Sequence, residues 1–493
     1  MQRRQFLTAI SRLVVMGAAS TKVWAGAMSM GETAAPASLL PVDALPRGLP
    51  LRELGKLTNE SKTLGLFRAT LTAAPLRAEL VAGHATEFWT YNGSLPGPLI
   101  EVFEGDTIEI TFVNRLKQPS SIHWHGLPVP PEQDGNPQNP VPPGGKRVYR
   151  FTLPDGCAGT YWYHPHPHTY TAEQAFRGLA GLFIVRARQD PLNGIPERLL
   201  VTSDLKLDQQ GKIPADDADD WMNGREGQFV LVNAQHMPVV RFDTGGRERW
   251  RIWNACSARY LRLTLPGIGF ALVGTDGGLI EHPIAGLQEF LVVPAQRAEL
   301  IVDAGTHRDR VDLTAAVYPR GKMGEVAPDK ALSLLTVDFS PVRSTIQPPL
   351  PLQLCSIADL GPVKAHKRVV FTEQMSMKDG RHQMSFLVNG KTYDMKRVDL
   401  TSRRNEVELW EIVNQADMDH PFHLHGTQFQ VVEREIHGVV TPEPFRAWHD
   451  TVNLKSGETV RIKAVQRWRG LRMFHCHILE HEGLGMMGQL KVV

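Results

Sequence analysis

"HCHILEHEGLGMM", residues 475–487, sets His475, Cys476, His477, His481, Met486 and Met487 within thirteen positions. On an extended chain successive side chains point to opposite faces, so Cys476 would face one way while His475 and His477 face the other. A stretch of this kind can bond to two separate metal centres at once. It needs β structure to hold the alternation, and it needs further ligands elsewhere in the chain.

Those ligands are visible as spaced histidine pairs. Random scatter of the 19 histidines over 493 residues would give about 0.7 pairs spaced two apart. Five occur: His123 and His125, His164 and His166, His166 and His168, His423 and His425, His475 and His477. Residues i and i+2 of a strand share a face, so each pair presents two imidazoles together. The pairs concentrate in the first and last thirds, which predicts that these parts face each other across a shared metal site.

Between the pairs, the chain reads as strands. "DTIEITFVNRL" (106–116), "KRVYRFTL" (146–153) and "NEVELWEIVN" (405–414) alternate apolar and polar residues, with Gly and Pro in the gaps. That pattern belongs to antiparallel sandwiches. "VNRLKQPSSIHWHG" and "VNQADMDHPFHLHG" share an order of strand, Asn, loop and paired histidines; "ERWRIWNACSARYLRLTL" (248–265) is a weaker relative without histidines. Three similar units are expected. We read residues 55–190, 191–345 and 366–493 as these units, with 26–54 as an extension and the Pro-rich neighbourhood 346–365 as a linker.

The first 25 residues differ from the rest. Arg3 and Arg4, an apolar middle and small residues near Ala25 read as a twin-arginine export signal, which predicts a periplasmic protein. No later stretch has the ~20 apolar residues of a membrane helix. The net charge of +2, with both signs interspersed, points away from nucleic acid and toward a small partner. Four scattered cysteines (Cys157, Cys256, Cys355, Cys476) do not make a disulfide framework. The acidic run "DDADD" (216–220) reads as a solvated loop.

Ligand type points to the metal. Cys476 with His420 and His481 is the two-histidine, one-thiolate set of a blue copper centre, and Met486 can supply the long axial thioether. Met487 competes for that place but faces the other way on a strand. Zinc also accepts Cys and His, but it has no redox chemistry and no use for a thiolate flanked by imidazoles.

With "HWHG" (123–126), "GTYWYHPH" (159–166), "HPFHLHG" (420–426) and "HCHILEHEGLGM" (475–486) in place, the sequence resembles the three-domain multicopper oxidases, the laccase and cuprous oxidase family. The resemblance runs from about residue 60 to the C-terminus. It implies an all-β chain of three cupredoxin-like Greek-key β-barrel domains, carrying four copper ions. Carried over by motif, His420, Cys476, His481 and Met486 would hold type 1 copper. His123 and His423 would hold type 2 copper. His125, His164, His166, His425, His475 and His477 would hold the type 3 pair. His168 lies outside the set, as a cavity residue. Asp134 and Glu482 match acids that deliver protons in the cuprous oxidase branch.

The resemblance implies an oxidase that passes single electrons from a reductant through Cys476 to a cluster where O2 becomes water. The Met-rich insertion of the cuprous oxidase branch is absent: its neighbourhood holds only Met375, Met377, Met384 and Met395. Met418 matches a substrate-copper ligand, but Ala416 stands where an acid is expected. The missing insertion predicts an open type 1 edge and a laccase-like oxidase of phenols or aromatic amines. Cu(I) is the alternative reductant. Outside the oxidases stand a copper-sequestering protein and the exported cell-division scaffolds that lack these ligands. Three units in one chain can complete the shared site, so a monomer is expected.

Overall fold

The computed structural model describes residues 28–29, 33–340, 349–378 and 381–493. The expected export signal lies outside them, as do residues 341–348, the end of the second expected unit and the start of the linker.

Among the described residues the alternating segments form six sheets that make three cupredoxin-like sandwiches. In the first, a sheet of His84–Tyr91, Leu66–Val81, Thr107–Asn114 and Lys146–Thr152 faces one of Gly97–Phe103, Gly181–Arg186, Gly159–His164 and His123–His125. Their inward residues, among them Leu71, Ile110, Phe112, Trp124 and Phe183, form one buried core. Residues 197–338 build a seven- and a five-stranded sheet around Trp250, Leu263 and Leu300. The last sandwich repeats the seven-and-five arrangement around Trp410, Phe422, Phe474 and Cys476. Full burial of a core side chain stabilises by about 1.5–3 kcal/mol, so cores of this size offset a large ordering entropy.

The threefold repeat read in the sequence has a physical counterpart in three asparagines. Asn114, Asn254 and Asn414 each end a strand and knot the loop that follows. The side-chain carbonyl accepts from the backbone N–H two residues on, at Leu116, Cys256 and Ala416 (3.0–3.1 Å). The amide group donates to carbonyls of the loop and of a distant segment: Gln118 and Val141, Arg259 and Val292, Met418 and Leu454. An aliphatic residue here would leave those buried polar groups unpaired.

Among the described residues three short α-helices, α1 (Thr171–Phe176), α2 (Ala218–Asn223) and α3 (Leu479–Gly483), interrupt the β structure. Both α1 and α2 pack on α3, so a helix from each sandwich meets at one place. The acidic run 216–220 is therefore no solvated loop. Asp217 caps α2 by accepting from Asp220 N in a capping box. Lys206 Nζ lies 3.1 Å from Asp217 and 2.6 Å from Asp220, and Arg225 lies 2.8 Å from Asp216. Four acids in water would repel; pairing with two cations lets three of them enter the interface, and only Asp219 stays exposed. Among the described residues, no helix is long and apolar enough to cross a membrane.

Candidate metal centre

Strand register brings the predicted ligands together. His123 pairs across the sheet with His164 and His125 with Trp162. In the last sandwich Phe422 pairs with Cys476 and His423 with His475. Eight imidazoles then meet between the first and third sandwiches, all buried. Their ring nitrogens form the groups His123–His125–His423, His125–His164–His477 and His166–His425–His475, each within 4.8 Å. The closest approaches are His425 Nε2 to His475 Nε2 (3.0 Å), His166 Nε2 to His475 Nε2 (3.3 Å) and His123 Nε2 to His423 Nε2 (3.4 Å).

Several rings are locked by a protein acceptor on their far side. His123 Nδ1 donates to Asp134 O (3.0 Å), His164 Nδ1 to Pro165 O (2.8 Å), His423 Nδ1 to Asp450 O (2.8 Å) and His475 Nδ1 to Cys476 O (2.8 Å). That fixes the tautomer and turns each Nε2 lone pair inward. Burial holds His164, His166, His423, His425 and His477 far below the ordinary imidazole pKa, and brings His475 down to about 3. The neutral, ligating form is therefore the one present at physiological pH. Converging lone pairs without protons between them are unfavourable in an empty protein. A cation satisfies them.

The second site lies wholly in the last sandwich. Cys476 Sγ is 3.3 Å from His420 Nδ1 and 4.0 Å from His481 Nδ1, and the two nitrogens are 3.4 Å apart. A backbone bond from Cys476 N to Met486 O (3.0 Å) sets Met486 beside the cysteine, in the same buried cluster. Met487 turns away to pack with Tyr393 and Met473. Helix α3, which the strand reading of residues 475–487 did not foresee, folds His481 back onto Cys476. Burial pushes the Cys476 thiol up, so a metal has to replace its proton. Nitrogen and thiolate at one site, eight imidazoles at the other and a bonded link between them fit copper at both.

The two predicted acids are buried rather than exposed. Asp134 Oδ1 lies 3.0 Å from His123 Nδ1, and its Oδ2 lies 3.4 Å from His425 Nδ1 and 3.5 Å from Arg472 Nη1. Glu482 accepts from Thr171 Oγ1 (3.0 Å); its other oxygen is 3.7 Å from His166 Nε2. Burial raises the Glu482 carboxyl to about 8. His168 stays outside the ligand groups, its ring edge-on to Tyr393 at 4.9 Å.

The expected open edge is corrected by the structure. His420 and His481 are fully buried, and His481 Nε2 donates to the Met222 carbonyl at 3.2 Å. Helix α2 forms this roof, and Asn223 clasps it to a second segment. Its side chain accepts from Met323 N (2.7 Å) and donates to Met323 O (3.1 Å). The missing insertion is thus replaced by cover from the middle sandwich, a contact between distant segments with no local sequence mark. Sequence reasoning also missed Asp450, Arg297 and Arg472, and Trp162, whose ring stacks on His125 (4.5 Å) and His164 (4.2 Å). Trp162 stood inside a quoted motif and could have been found there.

Sequence profiles described as "Multicopper oxidase" match residues 73–190 and 365–493. The multicopper oxidase mco of Staphylococcus aureus is 32% identical over 434 residues, covering 86% of this chain and 88% of its own length. This chain belongs to the multicopper oxidase family. A solved multicopper oxidase from Campylobacter jejuni, described as a metallo-oxidase, shares 43% identity with a TM-score of 0.88, covering 93% of this chain and 98% of that one. The cell division protein FtsP of Photorhabdus laumondii is 31% identical over 83% of this chain and 86% of its own length. The proteins this chain resembles include oxidases and a division protein, so the sites themselves must carry the functional argument.

Proposed function

We propose that this chain is a copper-dependent oxidase that couples one-electron oxidation of a small reductant to four-electron reduction of O2 to water. The observation that carries the reading is the Cys476 thiolate site bonded on both sides, through His475 and His477, to the eight-imidazole cluster. His420, Cys476, His481 and Met486 would hold type 1 copper, and His123 and His423 type 2. His125, His164 and His477 with His166, His425 and His475 would hold the type 3 pair. Copper bound there supplies one-electron redox chemistry at the thiolate and four stored electrons for O2.

The remaining work falls to the chain. The covalent path from Cys476 to its two neighbours joins the two sites, and the burial of every ligand keeps bulk water out of both. Glu482, whose carboxyl burial raises to about 8, lies 3.7 Å from a cluster imidazole and acts as proton donor. Asp134 sits between His123 and His425, where it orients both and accepts or passes a proton. Complete ligand sets favour an oxidase over a division scaffold. Export by the twin-arginine route would place it in the periplasm, as a monomer.

The roof bears on the reductant. A cover over His481 disfavours bulky phenols, and Met222 and Met323, held in that cover, offer thioethers that suit Cu(I). We therefore place Cu(I) ahead of the phenols and aromatic amines of a laccase-like oxidase. Oxygen uptake by copper-loaded protein, given Cu(I) or 2,6-dimethoxyphenol, tests both levels. Faster uptake with Cu(I), and phenol oxidation only in excess copper, is expected. Phenol turnover independent of added copper would restore the laccase-like reading, and no uptake with either would leave a copper-sequestering protein.

A further inference from the structure

"HWHG" and "HLHG" each close on a glycine with left-handed backbone, φ +82° at Gly126 and +55° at Gly426. Neither has room for a side chain. A Cβ at Gly426 would lie 1.8 Å from Arg472 Nη1, and one at Gly126 would lie 2.2 Å from Asp450 Oδ2 and 2.7 Å from Arg297 Nη2. Each glycine thus makes way for a buried arginine paired with a buried aspartate, and each aspartate touches the cluster. Arg472 and Asp134 reach His425; Arg297 and Asp450 reach His125. Only the first of these pairs contains a residue to which the family resemblance gives a role.

The second pair does something the first does not. His125 is tied to protein through Nε2, which donates to Asp450 Oδ1 at 3.0 Å, with Thr451 Oγ1 at 3.3 Å. Its Nδ1 is buried and has no hydrogen-bond partner among the described residues. His123, His164, His423 and His475 are held the other way round, through Nδ1. Asp450 therefore decides which nitrogen of His125 faces the cluster. Its own orientation is fixed by five donor contacts: His125 Nε2, Thr451 Oγ1 (2.9 Å), Gln428 Nε2 (3.0 Å) and both Nη atoms of Arg297.

Arg297 begins the Arg297–Asp303 strand of the middle sandwich, which supplies none of the cluster histidines. Its own guanidinium is locked by Thr160 O (2.7 Å), Ala295 O (3.0 Å) and Asp276 O (3.2 Å). We infer that Arg297 and Asp450 are positioning residues of the histidine cluster, through which the middle sandwich sets the coordinating nitrogen of His125. The inference rests on the proposed copper occupancy of that cluster.

Copper affinity and electron paramagnetic resonance of wild type, Arg297→Lys, Arg297→Met and Asp450→Asn test it, with apoprotein melting as the folding control. Loss of the positioning contact should weaken copper binding at the cluster by roughly 10- to 100-fold. It should also raise the paramagnetic copper per chain, as the coupled pair separates, while the blue colour of the Cys476 site is unchanged. Arg297→Met should be worst. Arg297→Lys should be mildest because it keeps charge but not the two-pronged fork, and Asp450→Asn intermediate because its Oδ1 still accepts from His125 while its amide group faces the donors of Arg297 and Gln428. Should Arg297→Met fail to fold, Gly126→Ala displaces the same pair with both charges retained. Wild-type affinity and spectrum in a folded Arg297→Met or Gly126→Ala overturns the inference alone. A wild type that binds no copper at the histidines overturns the proposed function as well.

Discussion

The thiolate site and the histidine cluster are built in opposite ways. His420, Cys476, His481 and Met486 come from 67 residues of one sandwich and converge through one strand pairing and a five-residue helix. The cluster draws its ligands from residues 123–166 and 423–477, and the contacts that aim them come from all three sandwiches. A local site can form when its own domain folds. A shared site exists only when the sandwiches dock, so its geometry inherits every interface error.

Cys476→Ser paired with His423→Ala breaks the comparison most sharply. Cys476→Ser should abolish blue colour and drop O2 uptake to background while the cluster keeps its copper. His423→Ala should keep the colour and lose cluster copper together with O2 uptake. Copper counting and visible absorption distinguish them; coincident loss in both variants would mean that the sites are not separate. Next in size, Gly426→Ala forces a Cβ into the buried Arg472 guanidinium. Overpacking and the left-handed backbone together should cost about 2–4 kcal/mol in denaturant unfolding. A smaller change, Asn223→Ala, removes both clasps of the roof and should cost about 1–3 kcal/mol. If the roof limits access to the thiolate site, the same variant raises phenol turnover several-fold; an unchanged rate would place the entry elsewhere.

A pH dependence is expected on the thiolate side as well. Glu373 accepts from Asp417 N (2.8 Å), and burial raises its carboxyl from 4.5 to about 7. The folded state then holds a proton that the unfolded state has released. This contribution is full below pH 4.5 and is lost as pH rises to about 7. Glu373→Gln should flatten that part of the stability curve in the apoprotein, read from denaturation midpoints across the window. A curve identical to wild type would show that Glu373 titrates normally.

Much of this protein was legible before folding was considered. Alternation wrote the strands, the Val-Asn endings wrote the repeat, and the histidine pairs wrote the ligands, because a strand converts spacing of two directly into a shared face. "DDADD" was misread because charge alone signals water, and Lys206 and Arg225 stand too far off in pattern to announce the pairing. The open edge was misread because absence of one covering segment says nothing about another. Asp450 was missed because a single aspartate in "AWHDTV" carries no periodicity.

The sequence by itself determined which atoms are available to bind metal and which strands carry them, since both follow from residue type and local spacing. Only the tertiary structure decided which nitrogen His125 presents, how His481 is covered, and that a middle-sandwich arginine reaches the cluster. Those depend on contacts between segments more than a hundred residues apart, and such contacts are set by packing of whole sandwiches rather than by any pattern along the chain.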